Sequence, residues 1–140
     1  MTPSTQMSEP NSIPLGELKV LLAEDYWVNR KVALKMLERM GIHAKSVENG
    51  AEVLEILQQE SFDLILMDCQ MPVMDGFEAT RSIRESEGDS EHHVPIVAMT
   101  AYTSGREREE AKEAGMTGWL EKPILMDALE EVIREACGLS

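Results

Sequence analysis

Five residues could do chemistry together: the adjacent pair Glu24-Asp25, then Asp68, Thr100 and Lys122. Each lies at or just beyond the end of a short apolar run. Leu64 to Met67 stops on Asp68, and a charge at the end of a buried run is costly unless something pairs with it. Three carboxylates brought close repel and raise one another's pKa, so they need a counter-charge. Oxygen ligands with no His or Cys among them select a hard cation, Mg²⁺ first. Lys122 supplies a second positive charge. An Asp between a divalent cation and a lysine is placed to attack phosphorus. Metal and lysine would neutralise the transferring oxygens, and Thr100 could hydrogen-bond one of them.

That chemistry requires the run ends to meet, and the patterning predicts elements that bring them together. Residues 1–16 are rich in Ser, Thr, Pro and Asn and read as a tail or linker, leaving 17–140 as one domain. Lys19 to Ala23 reads as a buried strand. Val28, Val32, Met36, Leu37 and Met40 then fall on one helical face, which Gly41 ends. Ile42 to Val47 reads as an edge strand, and Ala51 to Gln59 as a helix with Leu54 and Leu57 inward. Phe62 to Met67 is a continuous buried strand. The turn signal Asp75-Gly76 opens a helix to about Glu87, with Phe77, Thr80 and Ile83 inward.

After a polar loop containing His92 and His93, Ile96 to Met99 reads as another buried strand. Residues 104–114 form a helix so charged that its apolar face is thin. Thr117 to Leu120 is a short strand. The last helix carries a stripe of Leu125, Ala128, Leu129, Val132, Ile133 and Ala136. Five apolar strands alternating with five helices predict an α/β fold, a parallel sheet covered on both faces and doubly wound by right-handed crossovers. Such sheets bind ligands outside the carboxyl ends of their strands, where the five residues fall.

Composition excludes other classes. The chain has 140 residues, is 43% hydrophobic and carries a net charge of −13. One core is expected at that size. The negative surface repels phosphate backbones, which argues against nucleic-acid binding. No apolar run approaches the roughly 18 residues of a membrane span. Cys69 and Cys137 have no metal-type spacing, and free thiols without a visible secretory signal lead us to expect a cytoplasmic location.

The set Glu24-Asp25, M-D-C-Q-M-P-V-M-D-G, T-A and K-P resembles the receiver domain of two-component response regulators. The stretches L-L-A-E-D-Y-W-V-N-R-K-V-A and M-D-C-Q-M-P-V-M-D-G-F-E-A-T look most like receivers of hybrid sensor histidine kinases. The resemblance implies a flavodoxin-like sheet of order 2-1-3-4-5. It implies that Asp68 is the phosphoacceptor, served by a histidine kinase or a histidine phosphotransfer domain. Mg²⁺, with Mn²⁺ as its alternative, would be held by Glu24, Asp25, Asp68 and the backbone carbonyl of Gln70. Thr100 would be the switch hydroxyl, Lys122 a phosphoryl contact and Trp119 the aromatic that swings between rotamers. The Lys122-Pro123 bond would be cis. The fourth helix, last strand and last helix would form the face that meets a downstream partner. Gln70 and Tyr102 would flank the phosphoryl group, and bulky Tyr102 leads us to expect a phosphate lifetime of minutes or longer.

One departure stands out. Tyr26 and Trp27 follow the acidic pair where this family usually has Asn, and they are read either as packing against the sheet edge or as a partner-docking patch. An aspartate-nucleophile phosphatase is the enzymatic rival, but its second Asp is here Gln70, which cannot serve as a general acid. A flavodoxin needs a Ser/Thr/Gly-rich phosphate loop, which Ala23 to Trp27 is not. The chain reads as a piece of a hybrid kinase or as a stand-alone regulator.

Overall fold

The structure is a computed structural model that describes residues 14–101 and 104–139. After a 3₁₀ turn at Leu15–Glu17, the elements run β1 (Val20–Ala23), α1 (Trp27–Arg39), β2 (Ala44–Val47), α2 (Gly50–Leu57), β3 (Leu64–Asp68), α3 (Gly76–Glu87), β4 (Ile96–Thr100), α4 (Gly105–Ala114), β5 (Gly118–Glu121) and α5 (Met126–Ala136). All strand pairs are parallel and their order is 2-1-3-4-5, the predicted doubly wound sheet.

The sheet divides the core into two layers because successive strand residues point to opposite faces. On one face Leu21, Ile65, Met67 and Ala98 pack with Val53 of α2, Phe77 and Ile83 of α3, and Ala111 and Ala114 of α4. On the other, Leu22, Leu66, Val97 and Leu120 pack with Ala33 and Leu37 of α1 and with Leu129, Val132 and Ile133 of α5. β1, β3 and β4 are fully buried, as near-continuous apolar runs require, whereas β2 at the edge is half exposed.

The helix ends are built by short-range chemistry. Asn49 and Ser104 accept from first-turn N–H groups of Glu52 and Glu107, and Asp75 forms a reciprocal capping box with Glu78. α1 ends in a Schellman turn: Gly41, at φ 84°, donates to Glu38, and Ile42 donates to the carbonyl of Leu37.

Two expected core positions are corrected. Val32 is 48% exposed, and Ala33, about 100° further round the helix, takes the inward place. The small Ala33 side chain suits an axis lying close to the sheet. Leu125 is 66% exposed because it precedes α5 as its extended N-cap rather than joining its stripe. The thin face of α4 is observed. It buries only two alanines, whereas α5 buries Leu129, Val132 and Ile133, each worth about 1.5–3 kcal/mol. Few buried apolar contacts make α4 the more weakly held helix.

Candidate functional site

Four strand ends converge on a cleft of about 230 Å³ lined by Glu24, Asp25, Tyr26, Asn29, Asp68, Gln70, Thr100, Ala101 and Lys122. β1 delivers the acid pair, β3 ends on Asp68, β4 ends on Thr100, and the loop after β5 carries Lys122. Parallel pairing carries these ends to one edge; the Lys122 N–H donates to the Thr100 carbonyl at 2.9 Å and extends the β4–β5 ladder past its last strand residue.

Glu24, Asp25 and Asp68 each offer a carboxylate oxygen, and these atoms lie within 4.8 Å of one another. Glu24 and Asp68 are buried and Asp25 is exposed. Lys122 Nζ bridges the two buried acids, 2.8 Å from Glu24 Oε1 and 2.9 Å from Asp68 Oδ2. Asp68 Oδ1 accepts from the Gln70 N–H at 3.1 Å, and Glu24 Oε2 from the Tyr26 N–H at 3.2 Å. Burial pushes the Glu24 carboxyl up to about 7, with Lys122 opposing and Asp68 adding to the rise. Burial alone would lower the Lys122 pKa, but its bonds to Glu24 and Asp68 and their charges outweigh it and raise the value. One lysine against three acids leaves the cleft electron-rich. Three carboxylates with no soft donor fit a hard divalent cation.

The loop after β3 is shaped by close approach. Gly76 opens α3 against the strand end, where a Cβ would overlap the carbonyl oxygen of Asp68. Asp75-Gly76 therefore does more than turn the chain: it seats α3 beneath the acidic residue. Val73 adopts φ 69° in the same loop and is 83% exposed, a strained conformation for a β-branched residue. Cys69, next to Asp68, is buried, and that burial pushes its thiol up to about 12.

The sequence-predicted residues Glu24, Asp25, Asp68, Gln70, Thr100 and Lys122 therefore meet. The Lys122-Pro123 peptide is cis, as expected. Trp119 lies away from the cleft lining. It packs against the core layer that holds α4, with the Arg108 guanidinium 5.1 Å from its ring centroid and its Nε1 buried without a hydrogen-bond partner among the described residues. Tyr26 and Trp27 are 53% and 61% exposed, and Tyr26 lines the cleft. Tyr102 lies outside the described residues. His93 contacts Glu87 at 3.2 Å. Sequence reading missed Arg30, whose Nη1 donates to the Glu24 carbonyl at 3.0 Å. The available signal was a cation in the first turn of a helix, the end the macrodipole disfavours.

Comparison with known proteins agrees with this geometry. The chain is 38% identical over 130 residues to hybrid signal transduction histidine kinase K of Dictyostelium discoideum, covering 89% of this chain and 11% of the kinase. The chain thus spans about a tenth of that relative's length. The receiver domain of sensor histidine kinase PA1611 from Pseudomonas aeruginosa, solved with magnesium in its active-site cleft, superimposes with a TM-score of 0.78. Its identity is 36%, and the match covers 86% of this chain and 98% of that one. The Saccharomyces cerevisiae receiver domain of Ssk1, crystallised with the histidine phosphotransfer protein Ypd1, gives a TM-score of 0.80 at 32% identity, covering 86% and 89%. The family model of the response regulator receiver domain matches residues 20–134, and this chain belongs to that family.

Proposed function

We propose that Asp68 accepts a phosphoryl group from a phosphohistidine donor in a Mg²⁺-dependent reaction and holds it as a signal. One observation carries the reading. Asp68 is buried at a strand end, with a lysine 2.9 Å away and two further carboxylates close enough to share a cation with it. In the transfer an Asp68 carboxylate oxygen forms the new P–O bond. The donor P–N bond breaks, and the imidazole nitrogen keeps the electron pair and takes up a proton. When bound, Mg²⁺ would neutralise charge on the transferring oxygens; Glu24, Asp25, Asp68 and the Gln70 carbonyl would hold it, with Mn²⁺ able to substitute. Lys122 loses part of its hold on the acids as it turns to the phosphoryl oxygens, and Thr100 donates to one of them. The domain transfers the group to itself and loses it slowly to water, with Gln70 and Tyr102 setting that rate.

The added charge, about 1.5 to 2 units by analogy with other phosphorylated side chains, shifts a two-state equilibrium. Trp119 would turn, and the α4–β5–α5 face would change for a downstream partner. Weakly held α4 supports that reading. The donor would be a histidine kinase or a histidine phosphotransfer domain, and exposed Tyr26 and Trp27 at the cleft rim would help to dock it. Replacing both with Ala without slowing phosphotransfer would remove the docking role. A Tyr102→Ala variant that loses phosphate no faster than wild type would remove the shielding role. We read the parent as a cytoplasmic hybrid sensor kinase, with residues 1–16 as its linker and 17–140 as the receiver. No helix of the described residues is long and apolar enough to cross a membrane.

The test is incubation with Mg²⁺ and acetyl phosphate followed by intact-mass measurement. Wild type should gain one phosphoryl group, and Asp68→Asn or chelator should abolish the gain. No gain in wild type, or an equal gain in Asp68→Asn, refutes the assignment.

A further inference from the structure

Helix α1 starts without the usual help. Its N-cap is Tyr26, whose side chain makes no capping hydrogen bond, and its first turn holds no acidic residue. α2, α3 and α4 each begin on a side chain that accepts a first-turn N–H. α5 also lacks a capping side chain, but it carries Asp127 in its first turn. α1 instead has Arg30 there. A positive charge near a helix N-terminus opposes the macrodipole, so Arg30 does not serve the helix's own stability.

Arg30 reaches back over the loop that carries the acid pair. Its Nη1 donates to the Glu24 backbone carbonyl at 3.0 Å, and its Nη2 lies 4.0 Å from Glu48 Oε2. The side chain is 21% exposed, so this bond is partly shielded from water. The other polar atoms of Glu24 are also held. Its N–H donates to Val47, Oε2 accepts from the Tyr26 N–H, and Oε1 meets Lys122. Asp25 is the exposed member of the pair, and its backbone lies between the Glu24 carbonyl and the uncapped Tyr26. Among the described residues, Arg30 is the α1 side chain that hydrogen-bonds this stretch.

We propose that Arg30 is a positioning residue for the metal site: with no side chain capping α1, its bond to the Glu24 carbonyl fixes residues 24–26, so that the Asp25 carboxylate already faces Glu24 and Asp68 before a cation arrives. The proposal rests on the receiver reading of the same cleft. Preorganisation acts on affinity, because ordering completed in the free protein is not charged to binding.

Arg30→Met keeps the aliphatic stem and loses the donor. Mg²⁺ titration followed by tryptophan fluorescence, with Trp27 two residues from Asp25, and by calorimetry should show affinity weakened about tenfold, the scale of one lost ordering hydrogen bond. The urea midpoint in chelator should move little, and Arg30→Lys should recover part of the affinity. In a Tyr26→Asn background, which installs a cap, the cost of Arg30→Met should fall below about twofold. Folded Arg30→Met that binds Mg²⁺ within about twofold of wild type overturns the proposal. So does an equal loss in both backgrounds. If Arg30→Met does not fold, Arg30→Lys decides: a loss in the wild-type background that the new cap removes supports the proposal, and an equal effect in both overturns it. Wild type that neither binds Mg²⁺ nor gains a phosphoryl group refutes the receiver reading and this proposal with it. Wild type that does both beside an unaffected Arg30→Met refutes Arg30 alone.

Discussion

Gly76→Ala should damage this protein in two linked ways. Gly76 is the first residue of α3, and its N–H donates to the Cys69 carbonyl at 3.1 Å. A Cβ at that position would overlap the Asp68 carbonyl oxygen and stand 3.0 Å from Met67 Cγ and 3.1 Å from the Asp68 carbonyl carbon. Two of these three atoms are backbone of β3, which pairs with β1 on one side and β4 on the other, so they cannot swing aside like a side-chain end. Either α3 lifts off or the strand end moves. Overpacking of this kind costs about 1–3 kcal/mol, a sizeable part of the roughly 5–15 kcal/mol that holds a domain together. Displacing the strand end also moves Asp68, whose Oδ2 sits 2.9 Å from Lys122. Misplacement by a fraction of an ångström should slow phosphorylation by about tenfold, since about 1 Å can cost a hundredfold. Gly105→Ala is the matched control. Among the described residues, no atom beyond its chain neighbours and its own helix backbone lies within 4 Å of a Cβ there, and the substitution should be neutral or stabilising by up to about 1 kcal/mol. Urea unfolding gives the first quantity, and the rate of mass gain from acetyl phosphate at saturating Mg²⁺ gives the second. A Gly76→Ala protein within about 0.5 kcal/mol of wild type and phosphorylated at the same rate would refute the reasoning.

Two further predictions concern titration. Glu24 rises from 4.5 in the unfolded chain to about 7 when folded, so between those values the folded state holds a proton that the unfolded state has lost. Without metal, its contribution is fully present below about pH 4.5 and declines as pH rises through about 7, by about 3 kcal/mol. Urea midpoints measured in chelator across that window should fall in wild type and flatten in Glu24→Gln, and parallel curves would count against it. The Cys69 thiol, buried and pushed up to about 12, should resist iodoacetamide in the folded protein near pH 8 and react once the chain is unfolded. Labelling of Cys69 itself, located by peptide mapping apart from the half-buried Cys137, at the free-thiol rate in folded protein would contradict its burial.

Much of this molecule is legible in local pattern. Runs such as Leu64–Met67 and Ile96–Met99 declare buried parallel strands because both of their faces must be apolar. Their abrupt stops at Asp68 and Thr100, with Glu24-Asp25 and Lys122 at the other ends, declare one edge because parallel connections return every strand in the same direction. The resemblance carried by those residues supplied the sheet order and the cis Lys122-Pro123 bond that the structure has.

What tertiary structure alone decided is how side chains from distant elements share space. Periodicity marked a face of α1, but packing against the sheet chose Ala33 over Val32, since a helix's rotation about its axis is set by what it meets. Lys122 was expected at the phosphoryl group. That it also bridges Glu24 to Asp68, and thereby bears on Glu24's proton, depends on distances between strands β1, β3 and β5 that no local pattern holds. Arg30 bonds a carbonyl six residues back, a contact that exists only once the loop has folded over the helix start. The stacking of Arg108 on Trp119 joins α4 to β5 in the same way. Hydrophobic period is a property of neighbouring residues in the chain, whereas charge pairing and close approach belong to residues that meet only in the folded state.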